Sequence, residues 1–148
     1  LACRRICQDM YLVYWPDRFQ REIMNRKIQQ FLRNYGYRVF RGEAVLERLS
    51  KRMEGYKNQR NEFPHEFGVF LGYPLEDVQG FIENRGKNYL YCGYWKVYKD
   101  VKEAKRLFAR YRRAKALIAA AVRQGWSVKA LAQDGWMEPY ERLNIGNF

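Results

Sequence analysis

The apolar residues of this chain fall mostly three and four apart, at helical spacing, and run together in short aromatic stretches elsewhere. Residues 10–15, MYLVYW, form one such stretch before Pro16. It is too short for a helix and rich in strand formers, which predicts a buried strand. Pro16 and Asp17 then open a helix, with Asp17 placed to accept from the free N–H groups of the first turn. Phe19, Ile23, Met24, Ile28, Phe31, Leu32 and Tyr35 follow as one apolar stripe, so a single helix is expected over 17–35, stopped by Gly36.

A second, shorter helix is expected over 43–53 with Val45, Leu46 and Leu49 inward, followed by a polar loop over 55–62. Residues 64–71 read as one or two helical turns between Pro64 and Gly72. The segment 74–84 is a clearer helix. Pro74 comes first, Glu76 and Asp77 occupy the first turn, Val78, Phe81 and Ile82 face inward, and Gly86 ends it. Residues 89–98, YLYCGYWKVY, predict one aromatic strand. Trp95 and Val97 share a face with Tyr89 and Tyr91, with a bulge at Gly93 as the exception. Asp100 caps a long helix over 101–124 whose buried stripe runs from Ala104 through Leu107, Phe108 and Tyr111 to Val122. A further helical turn is expected over 126–132, and an extended tail over 134–148. The whole predicts a single α+β domain over residues 1–133, a small β-sheet covered by several α-helices. That sheet would hold both 10–15 and 89–98, under the helices at 17–35, 74–85 and 101–124.

Length and composition narrow the class. The chain has 148 residues, 17% of them aromatic, and carries a net charge of +12. It is large enough for one ordinary core and too apolar to be disordered. No apolar run reaches transmembrane length, and Arg4 and Arg5 are followed by Cys7, Gln8 and Asp9 rather than by a signal-peptide core. Three cysteines, Cys3, Cys7 and Cys92, are an odd and unevenly spaced set. Free thiols in a cytoplasmic protein fit that set better than a disulfide framework. The positive charge points to an acidic partner, nucleic acid or acidic protein, and otherwise to plain solvation.

Four constellations carry candidate chemistry. Lys102, Arg106, Arg110 and Arg113 step by four, four and three residues, so they form one ridge on the last helix, flanked by Lys105, Arg112 and Lys115. Such a ridge can follow a phosphate backbone, or simply be a solvated face. Tyr89, Tyr91, Tyr94 and Trp95, beside Arg85, Lys87 and Lys96, can stack bases if exposed; turned inward they are a core of large rings. His65 and Cys92 can form a thiolate–imidazole pair with Glu66 as orienter, if their elements meet; otherwise they are a capping histidine and an inert thiol. Cys3 and Cys7 can supply two metal ligands, with His65 and Cys92 needed to complete a closed zinc site; otherwise they are two unrelated cysteines near the terminus.

The motif FPHEFGVFLGYPLEDVQGF over 63–81, then NRGKN from Asn84 and CGYWKVY from Cys92, closely resembles a family of small bacterial proteins known as a domain of unknown function, mostly from anaerobic, clostridia-like bacteria. Pro64, His65, Glu66, Gly72, Pro74, Gly86, Cys92, Gly93, Trp95 and Lys96 stand at the motif positions. Members usually carry a further N-terminal segment with a His-Cys-x-Pro-like element, after which this chain is expected to begin. The resemblance implies a cytoplasmic α+β domain and supplies no activity. Members are encoded near iron-uptake or flavodoxin-like genes, an association that favours a metal- or redox-linked role. The expected function is therefore a non-enzymatic binding or regulatory module with a basic helix face. The alternative is a redox- or metal-linked protein or enzyme centred on His65, Glu66 and Cys92. No cofactor, substrate or oligomeric state follows from the sequence.

Overall fold

The first strand of the fold is one that the hydrophobic pattern did not announce. In the computed structural model, which describes residues 1–127, β1 (Ala2–Cys7) pairs antiparallel with β2 (Met10–Tyr14), in a register running from Ala2 opposite Tyr14 to Cys7 opposite Met10. An irregularity between Arg5 and Cys7 lets the neighbours Ile6 and Cys7 both turn inward. The arginines of β1 hide its alternation, which is why only β2 is legible as a strand.

The helix expected over 17–35 is two helices, α1 (Pro16–Ile23) and α2 (Arg26–Arg33). Asn25 breaks it: its side-chain oxygen accepts from the backbone N–H of Lys27 at 2.9 Å and restarts the helix at a corner. Asp17 is not the cap of α1. Trp15 holds that position without a side-chain bond, and Asp17 sits in the first turn. The apolar stripe survives the corner at Phe19, Ile23, Phe31 and Leu32, all buried, whereas Met24, at the corner itself, is exposed.

α3 (Gly42–Lys57) extends through the start of the predicted polar loop and buries Val45, Leu46, Leu49 and Met53. It packs on β1 and α1. A single turn, α4 (Phe67–Phe70), and then α5 (Leu75–Glu83) follow, as the two prolines suggest. Gly72, at φ +77°, makes the left-handed link between them.

The predicted strand over 89–98 folds back on itself. β3 (Tyr91–Cys92) pairs antiparallel with β4 (Lys96–Val97), so Gly93 lies in a tight turn rather than at a bulge. The two predicted strands therefore never share a sheet: the described residues hold two separate two-stranded hairpins. The ring of Phe108 fills the space where a Cβ on Gly93 would stand. α6 (Val101–Arg123) starts where expected, with the Asp100 carboxylate accepting from the backbone N–H of Glu103 at 2.9 Å. Its predicted stripe is buried at Ala104, Leu107, Phe108 and again at Ala121, whereas Val122 is exposed.

The single-domain α+β class stands. Within it the buried side chains form two clusters. The larger draws on the β1–β2 hairpin and α1 to α5, with Leu32, Tyr37 and Leu46 among its fully buried members. The smaller joins the β3–β4 hairpin to α6 through Trp95, Val97, Ala104, Leu107 and Phe108. Tyr73 packs against both. Among the described residues no helix is long and apolar enough to cross a membrane. The expected tail at 134–148 and most of the turn expected over 126–132 lie outside the described residues.

Candidate functional site

The motif around 63–98 is divided among three environments. Glu66 goes to the interior. Pro64 begins a tight turn that continues into α4, and consecutive residues there point opposite ways, leaving His65 exposed and Glu66 fully buried. The Glu66 carboxylate receives the Arg52 guanidinium through both of its oxygens, and the Tyr37 hydroxyl donates to it at 3.2 Å. The guanidinium also lies 5.3 Å from the centre of the Tyr35 ring. Burial, and then the Glu66 charge, push the Tyr37 hydroxyl well above the ordinary tyrosine range. Burial also lowers the affinity of Arg52 for its proton, but the bond and charge of Glu66 outweigh that and raise it. A carboxylate so fully engaged ties α3 to α4. Its hydrogen bonds go to Arg52 and Tyr37, and none joins it to His65 or Cys92 among the described residues.

His65 goes to a row of rings. Its imidazole lies between Phe63, at 5.2 Å, and Phe81 on α5, at 5.0 Å between ring centres. Phe63 in turn meets the edge of Tyr56, at the end of α3, at 5.2 Å. Beyond Phe81 stands the ammonium of Lys96 on β4, 5.7 Å from the Phe81 centre and 4.9 Å from that of Tyr89. That ammonium donates to the Gly86 carbonyl at 2.7 Å, which fixes it beside the row. Motif residues His65, Gly86 and Lys96 are thus brought together with Phe63 and with Phe81, which the sequence pattern presents as a packing residue.

Trp95 goes to the base of the hairpin. Asp77, in the first turn of α5, is buried and accepts from Trp95 Nε1 and from the backbone N–H groups of Tyr98 and Lys99. The hairpin in turn lies on α6: the Trp95 ring meets Phe108 edge-on at 4.5 Å, and Tyr94 meets Tyr111 edge-on at 5.4 Å. Tyr91 stacks near Phe108 and carries the Lys105 ammonium 4.8 Å from its centre. The predicted tyrosine cluster therefore splits. Trp95 and Val97 are core, while Tyr89 and Tyr94 remain 44% and 45% exposed.

On α6 the ridge residues Lys102, Arg106 and Arg113 are exposed and Arg110 is half-buried. Arg106 has one carboxylate neighbour, Glu103, at 3.4 Å. Lys105 and Arg112, seven residues apart on one side of the helix, are both exposed, and Lys105 reaches Tyr91 of the hairpin. Tyr111, beneath the hairpin, is pushed above the ordinary tyrosine range, chiefly by burial.

The thiols do not converge on a metal site. Cys3 is exposed opposite Val13, Cys7 is buried at the hairpin turn, and Cys92 is exposed opposite Lys96; all three are free. No group of three or more His, Cys, Asp and Glu side chains among the described residues is arranged to hold a metal ion. A cleft of about 450 Å³ lies between β1 and the end of α3, lined by Arg4, Cys7 and Lys57 among others, and no motif residue reaches it.

These features define a helix-rich α+β domain whose surface combines an aromatic row, a tyrosine hairpin and a basic helix. The chain belongs to the family described as protein of unknown function DUF3793, whose family model matches residues 3–132. The match runs from β1 to beyond α6, so the membership read from the central motif extends along most of the chain. No curated protein and no solved structure matches it.

Proposed function

We propose that the protein is a cytoplasmic, non-enzymatic binding module for nucleic acid, engaged through α6 and the β3–β4 hairpin. The observation that carries this reading is the seating of the hairpin on α6. It brings one flank of the basic helix to the aromatic set, with the Lys105 ammonium over Tyr91 and the Tyr94 ring against Phe108. From there the exposed cations Arg112, Arg113 and Lys115 continue along the helix. Phosphates supply the affinity on such a surface, and the rings supply contact with bases. Three unpaired cysteines suit a reducing compartment.

The test is a salt titration of binding to a mixed nucleic-acid pool. Affinity should fall steeply with salt. Lys102→Ala, Arg106→Ala and Arg113→Ala combined should flatten the slope by about 0.7 for each single-strand phosphate that is no longer neutralised. No binding at low salt would sink the reading. Equal binding to polyglutamate would move it to an acidic protein partner. The rival, a redox- or metal-linked protein centred on His65, Glu66 and Cys92, has less support because Arg52 and Tyr37 occupy the Glu66 carboxylate. Metal analysis of untagged protein tests that rival directly.

A further inference from the structure

The row of rings around His65 is too exposed to be only a core. Tyr56 and Tyr89, at its two ends, are each 44% exposed, and His65 between them is exposed as well. Rings that serve packing alone turn their faces inward, as Phe70 and Phe108 do. Here Tyr56, Phe63, His65 and Phe81 follow one another at 5.0–5.2 Å between centres, and Lys96 bridges Phe81 to Tyr89. The carboxylate next in sequence to His65, that of Glu66, is withdrawn into the interior and neutralised by Arg52. The loop after α5 keeps positive charge next to the row: Arg85 and Lys87 are exposed, and Arg85 holds a left-handed backbone at φ 50°. Tyr89 leads directly into β3, so the row and the basic helix meet through the hairpin.

We infer that the nucleic acid is single-stranded and that its unpaired bases stack on this row, with Lys96, Arg85 and Lys87 as phosphate contacts. The inference rests on the binding reading above and adds to it the form of the nucleic acid and the place where bases are read. A duplex presents no free base faces to side-chain rings, whereas a single strand with splayed bases matches a row exposed at Tyr56, His65 and Tyr89, half-buried at Phe63 and Phe81, and flanked by cations. Stacking of this kind tolerates any base, so recognition at the row is by form more than by sequence.

The experiment is fluorescence anisotropy on the full chain with three labelled probes of equal length: a mixed-sequence single strand, its duplex, and an abasic strand that keeps the phosphates. The single strand should bind at least about tenfold tighter than the other two, and His65→Ala and Tyr89→Ala should each weaken it by about five- to a hundredfold. The salt slope should stay unchanged in both variants, because the phosphate-binding cations stay in place. His65→Phe keeps a ring and should retain affinity. Thermal midpoints equal to the parent protein's show that these exposed substitutions leave the fold intact. Equal, salt-dependent binding of all three probes would overturn the row while leaving the basic surface in place. Absence of salt-dependent binding to any probe would overturn both.

Discussion

The indole N–H of Trp95 donates to the Asp77 carboxylate at 2.7 Å, across the boundary between the second hairpin and α5. The other oxygen of the same carboxylate receives the Tyr98 N–H at 2.8 Å, so one buried side chain fixes both the sheet end and the packing of its principal ring. Charge-assisted bonds of this kind are stronger than neutral ones, and losing the acceptor leaves the buried indole N–H without a partner. Asp77→Ala is expected to cost about 2–3 kcal/mol in urea unfolding, with loss of near-ultraviolet circular dichroism from Trp95. An unchanged midpoint would show that the anchor is dispensable.

The Arg52–Glu66 pair should respond unequally to removal of its two halves. The Arg52 side chain is 22% exposed and can turn to water, whereas Glu66 is at 0%. Glu66→Gln should therefore be the milder change. Arg52→Met strands a buried carboxylate and should cost about 3–5 kcal/mol. Chemical denaturation of the two variants side by side checks the order, and the reverse order would refute the burial argument.

Stability should decline in alkali. The hydroxyls of Tyr37 and Tyr111 are held above their ordinary value of 10.0 in the folded protein, chiefly by burial. A raised folded value means that the unfolded chain loses these protons first. The stability is complete below about pH 10 and falls as pH rises beyond it, by about 1.4 kcal/mol per pH unit for Tyr37 while it stays protonated, and by less for the more exposed Tyr111. Urea midpoints from pH 8 to 11 measure this fall. Tyr37→Phe should start lower, having lost its bond to Glu66, and descend less steeply.

Gly93 tests the seating of the hairpin on α6. A methyl group there would collide with the Phe108 ring, which is itself buried and walled in by Trp95 and Tyr91. Gly93→Ala should cost about 1–3 kcal/mol through overpacking, and by shifting the seam it should also weaken nucleic-acid binding. Full affinity in a variant destabilised to that degree would separate the seam from the binding surface.

The helices were the readable part of this sequence, because their apolar spacing, prolines and acidic first turns all agree. Asp100 and the start of α6 are the clearest instance. Three features escaped for definable reasons. Asn25 looks like an ordinary polar position on a helix face until its side chain is seen capping α2. The arginines of β1 break the alternation that marks a half-buried strand. The hairpin at 89–98 has an unbroken aromatic pattern that hides the reversal between Cys92 and Lys96. The site was legible in its parts and not in its grouping. His65 and Lys96 stood out by type, but sequence separation concealed that Phe63, Phe81 and Gly86 accompany them. Glu66 stood out as well, while Arg52 and Tyr37, which determine its role, lie 14 and 29 residues away.

The two clusters of buried side chains, bridged by Tyr73, imply that the molecule has an internal seam along which it can come apart. The hairpin and the first half of α6 close over their own small cluster and hold to the body through Asp77, Tyr73 and the Lys96 ammonium on the Gly86 carbonyl. Amide protons of β4 and of α6 around Phe108 should then exchange with solvent together, and sooner than those of α3 around Leu46 and Leu49. Uniform exchange of both groups at the rate of global unfolding would deny the seam. If the seam is real, a ligand bridging the row and the basic helix closes a clasp, and slower exchange of the second group on its addition would report occupancy without any label.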